Sequence, residues 1–102
     1  MAYINIVSAT TSSIRVILRG LDSEYSKSDR VCTWYLDGKK KGTSTLGAKV
    51  SSGGAYTFSG LSPGTGYSIA VEITASSWDY TVDLDTFAET ETISVEPWSW
   101  SH

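Results

Sequence analysis

Apolar and polar residues alternate with a period of two along most of this chain, the pattern of strands that bury one face and expose the other. A first strand is predicted over about 3–9, with Ile4 and Ile6 on the same side. The second, over about 13–20, sets Ile14, Val16 and Leu18 against Ser13, Arg15, Ile17 and Arg19, so it reads as half buried. The polar stretch from Asp22 to Arg30 predicts a loop. In the third strand, over about 31–37, Cys32, Trp34 and Leu36 share a face. It ends at Asp37-Gly38, a dipeptide that tolerates the positive φ of a tight hairpin turn. Lys39 to Leu46 then predicts a short, weak return strand.

Gly47 to Gly54, containing Ser51-Ser52-Gly53-Gly54, predicts the most flexible internal loop. Tyr56 and Phe58 share one face of the next strand. Tyr67, Ile69, Val71 and Ile73 form the longest clean alternation, which places their strand at the centre of a sheet. After Ala75-Ser76-Ser77, residues Tyr80, Val82 and Leu84 alternate with Thr81, Asp83 and Asp85 in a last strand that extends to about Thr92. No segment has helical periodicity and none repeats another. Seven strands in about ninety residues predict an all-β fold, a seven-stranded antiparallel β-sandwich.

Length agrees with one domain, expected over residues 1–93, followed by a Pro/Trp-containing tail at 94–102. A net charge of −3 and a pI near 4.9 give no electrostatic footprint for nucleic acid. No apolar run approaches the ~20 residues that cross a bilayer, and Met1-Ala2-Tyr3 leads into the first strand without a secretory signal. Cys32 is the only cysteine, so no intrachain disulfide can form and packing alone must hold the domain. Because the one histidine, His102, ends the chain, Cys32 reads as a small buried hydrophobe and not as a nucleophile.

Charge is unevenly distributed. All eight basic residues lie in the first fifty positions with four acids, Asp22, Glu24, Asp29 and Asp37, while the remainder holds seven acids and no base. Lys39-Lys40-Lys41 could dock an anionic partner, but a charged hairpin and an acidic edge strand also deter edge-to-edge pairing. If the third strand neighbours the sixth, some of this charge pairs across strands. Alternation spreads Glu72, Asp79, Asp83 and Asp85 along strands, without the tight spacing of a calcium loop, so no metal and no cofactor is expected. Phosphate loops, metal-spaced Cys/His clusters and dinucleotide fingerprints are missing from the sequence, and no catalytic residue is predicted.

One segment carries a sharper pattern. In Leu61-Ser62-Pro63-Gly64-Thr65-Gly66-Tyr67 a leucine precedes a tyrosine by six residues with Pro-Gly-Thr between them, which resembles the corner of fibronectin type III domains. Such a corner implies that Tyr67 packs its ring in the core over Leu61 and returns its hydroxyl to backbone a few residues upstream. The resemblance covers roughly 3–92, and it departs from the family at Leu18, where a Trp is common; Trp34 is the largest core aromatic instead. An immunoglobulin-like variant fits the same strands without the cysteine pair of antibody domains. The tail from Val95 through Pro97, Trp98 and Trp100 to His102 is similar to junctions that follow fibronectin-like domains in some bacterial prophage and surface proteins.

What the resemblance implies is a non-catalytic spacer or protein-interaction module, one unit of a longer bacterial surface or phage-derived protein, extracellular or on a virion. Its partners are the flanking domains and a protein or glycan at a surface, and the isolated domain is expected to be a monomer. Trp78, Asp79 and Tyr80, before the last strand, are the candidate ligand-binding residues, because aromatic faces stack on sugars while a carboxylate accepts hydroxyl protons. On that reading the domain is a carbohydrate-binding accessory module of a secreted glycoside hydrolase; alternatively Trp78 covers the end of the core. A virion tail structural domain, contacting its neighbours through the acidic strand and the Trp tail, is the remaining expectation.

Overall fold

The computed structural model describes residues 1–21 and 27–93. The predicted tail, with Trp98, Trp100 and His102, lies outside the described residues, as do residues 22–26 of the expected loop. Among the described residues seven strands form: β1 (Tyr3–Ala9), β2 (Ile14–Arg19), β3 (Arg30–Leu36), β4 (Lys39–Leu46), β5 (Gly53–Phe58), β6 (Gly66–Ala75) and β7 (Val82–Glu89). They pair antiparallel into a sheet ordered β1-β2-β5 and a second ordered β4-β3-β6-β7. Between them lies one core, to which the first sheet contributes Ile4, Ile14, Val16, Leu18 and Phe58 and the second Cys32, Trp34, Leu36, Leu46, Ile69, Val71, Ile73 and Ala88. These are the alternating positions of each strand, so the period-two pattern is the pattern of burial.

As expected from its alternation, β6 is a central strand, with β3 and β7 on its two sides. Asp37 and Gly38 both take positive φ, 49° and 81°, the conformation of a tight hairpin turn between β3 and β4. The Tyr67 hydroxyl returns to the backbone as the resemblance implies. Ser62 N–H donates to the Tyr67 hydroxyl at 2.9 Å, and the buried Thr90 hydroxyl donates to the Ser62 carbonyl at 2.6 Å while accepting from Thr65 N–H at 3.0 Å.

Four expectations are corrected. Arg30 is the fully buried first residue of β3 and not part of a loop. The return strand β4 runs eight residues, held in part because Trp34 Nε1 donates to Ser44 Oγ at 2.8 Å and Ser44 donates onward to the Gly54 carbonyl at 2.7 Å. Gly53 and Gly54 open β5 instead of closing the loop, since the sheets approach so closely there that an added Cβ would meet Leu46 at 2.7 Å or Cys32 at 3.0 Å. Finally, β7 spans Val82–Glu89, so Tyr80 stands before it and Thr92 after it.

As expected, β3 neighbours β6. Lys39–Lys41 on β4 and the acids of β7, however, occupy opposite edges of the four-stranded sheet, with two strands between them. On its outer face Glu72 of β6 stands directly across from Asp83 of β7.

Candidate functional site

Residues 20–21 and 27–29 and the loops 47–52 and 76–81 gather at one end of the sandwich, because Arg30 of β3 is in register with both Leu46 and Ala75. Backbone and side-chain bonds knit them together. Leu21 N–H donates to the Ser51 carbonyl at 2.9 Å, Ala48 N–H to Asp29 Oδ1 at 3.0 Å, and the Ser28 and Ser77 hydroxyls meet at 3.2 Å.

The three predicted residues stand together in loop 76–81. Trp78 N–H donates to the Ala75 carbonyl at 3.0 Å, closing a turn at the end of β6. Its ring packs partly buried against the core and stacks on Tyr80, with centroids 4.9 Å apart and planes 11° from parallel. Tyr80 is 49% exposed and Asp79 is exposed beside it. Trp78 therefore covers the end of the core and also braces a second ring that faces outward. The pair offers one outward aromatic face next to a carboxylate, geometry suited to stacking on a sugar ring while accepting its hydroxyl protons.

Sequence reasoning missed Arg30, the residue that organises this end. Its Nη2 donates to the Gly47 carbonyl at 2.7 Å and also to the Val50 carbonyl, tying loop 47–52 to β3. Among the described residues Nε and Nη1 are buried without a partner, and desolvation pushes the guanidinium below its ordinary pKa. The signal was parity: Arg30 is in phase with Cys32, Trp34 and Leu36, so alternation assigns it to the core side. Cys32 itself is fully buried, and burial pushes its thiol above the usual range, which suits packing and not nucleophilic chemistry.

The four acids considered for calcium do not converge. Glu72, Asp83 and Asp85 rim an open hollow of about 270 Å³ on the outer face, floored by Ala70 and flanked by Tyr35, whereas Asp79 lies in the loop beyond β6. Among the described residues no group of three or more His, Cys, Asp or Glu side chains is placed to hold a metal ion. No family model matches the chain, and a search of curated proteins returns no match.

Proposed function

We propose that this chain is a fibronectin type III-like module that works without catalysis, as a spacer and interaction unit of a larger bacterial surface or phage-derived protein. The observation that carries this reading is the path of the chain. β1 begins beside Arg19 at the end where the three loops gather, while Glu91, past β7, donates its N–H to the Thr10 carbonyl at the opposite end. A module entered at one end and left at the other adds its own length to a string of modules. At ~3.3 Å per residue, β1 alone spans ~20 Å. The sheet order, with three strands in one antiparallel sheet and four in the other, and the Tyr67 hydroxyl on Ser62 N–H support the family reading, the second because the Leu61 to Tyr67 corner implies that bond. The domain then acts outside the cell or on a virion, where rigid packing without disulfides sets the distance between neighbours.

Two copies joined head to tail test this reading by small-angle scattering. The expected particle is rod-like, close to twice the length of one copy, and a side-by-side particle overturns the spacer role. A second reading, a carbohydrate-binding accessory module, is favoured by the exposed Tyr80 ring braced on Trp78 beside Asp79. In a glycan array it requires binding by the intact domain that Tyr80→Ala removes; an array without signal excludes it.

A further inference from the structure

A second concave site lies away from the three loops, on the flank where β4 and β5 face each other as edge strands of opposite sheets. Near the loop end this flank is closed, because Ser44 bonds the Gly54 carbonyl and the two glycines let the sheets meet. Further along, Tyr56 leans across β4 at Gly42, where an added Cβ would lie 2.5 Å from its hydroxyl, and its ring stacks on Trp34 at 6.0 Å. Beyond Tyr56 the edges diverge and leave a cleft of about 180 Å³. Leu36, Phe58 and Leu61 supply its apolar lining, and Thr57 and Ser59 its hydroxyls.

Among the described residues one charged side chain lines it, that of Lys41. The register of β3 and β4 slips between Trp34–Gly42 and Tyr35–Lys40, which makes Lys41 the extra residue of a β-bulge. Bulges at sheet edges re-aim side chains, and this one accompanies a lysine that borders the cleft. Lys39 and Lys40 add positive charge along the same strand, and among the described residues no carboxylate lines the cleft. An edge strand carries backbone donors and acceptors on its outer side, so a partner strand can pair there.

We propose that this cleft receives an extended acidic peptide segment, which pairs with the free edge of β5, seats one apolar side chain over Leu36, Phe58 and Leu61, and sets a carboxylate on Lys41. Apolar and acidic side chains two residues apart share one face of such a strand, matching a lined hollow with a cation beside it. The proposal goes beyond the spacer reading and does not depend on it.

The probe is acetyl-Thr-Leu-Thr-Glu-Thr-amide, titrated into the full chain while backbone amide resonances are followed. Expected are saturable shifts at Thr57, Ser59 and Leu61, a loss of affinity of about tenfold or more in Lys41→Glu, and no such loss in Lys49→Glu, a lysine of the 47–52 loop. Lys41 is exposed, so the substitution leaves the core intact. Weak or absent shifts at those amides up to about 1 mM peptide overturn the proposal. So does equal affinity for the peptide carrying Lys in place of Glu, or equal loss in the two variants.

Discussion

Tyr67 and Arg30 are both polar groups at the border of the core, and they contribute in different ways. The Tyr67 hydroxyl satisfies a backbone N–H in the turn that joins the sheets, so Tyr67→Phe removes one acceptor while keeping the ring. We expect a cost of ~1 kcal/mol in urea denaturation, the net worth of one such bond. Arg30 is costlier to keep, since two of its nitrogens are desolvated without partners among the described residues. Arg30→Ala leaves a cavity at the start of β3 and is expected to cost ~3 kcal/mol. Arg30→Met refills most of that space and removes the desolvation penalty, and the carbonyls it frees belong to exposed residues that water can reach. Its cost is therefore expected to stay within ~1 kcal/mol. Equal losses in the two variants would show that the charge, not the volume, holds this end together.

Among the elements, β7 is the one whose composition opposes its own pairing. Glu72 and Asp83 face each other across β6 and β7, and Asp85 lies two residues further along the same face. Like charges directly opposite are destabilising, whereas opposite charges contribute ~0.2–1 kcal/mol. Asp83→Lys is thus expected to stabilise the domain by ~0.5 kcal/mol at low salt, read as a higher denaturation midpoint, and the gain should shrink as salt screens the new pair. A gain that persists unchanged in high salt would assign the effect to strand propensity instead. Conversely, β4 shows how a weak-looking strand forms. Its Lys-Lys-Lys-Gly run has little β-propensity, yet Leu46 fills the core and Ser44 links both sheets.

At the scale of the molecule, two sheets leave four edges, and each carries a device against pairing with another copy. β1 is interrupted by a register shift between Ile6 and Ser8, β4 carries the lysines and a bulge, β5 is only six residues long, and β7 alternates acids along its outer face. Those devices predict a monomer. Replacing Lys39, Lys40 and Lys41 together by Thr keeps the hairpin turn and removes the charge from one of the two eight-residue edges. Sedimentation velocity should then show association that grows with concentration, while the parent chain stays a single species. Identical profiles for both proteins would mean that the bulge alone protects this edge.

Alternation by itself determined the number and order of strands, the core side of nearly every position and the central place of β6, because burial on one face imposes a local period of two, and the Asp37-Gly38 dipeptide determined its turn. It also brought together Trp78, Asp79 and Tyr80, which are neighbours in the chain. Only the tertiary structure decided which strands share a sheet and therefore that the lysines and the acids lie on opposite edges. It decided too that Gly53 and Gly54 belong to a strand, since the reason is the nearness of Leu46 and Cys32, and that Tyr80 stacks on Trp78 instead of entering β7. The cleft beside Lys41 is of the same kind. Its walls come from β3, β4, β5 and the corner beyond, and a bulge in one strand matters there only because another sheet's edge stands opposite.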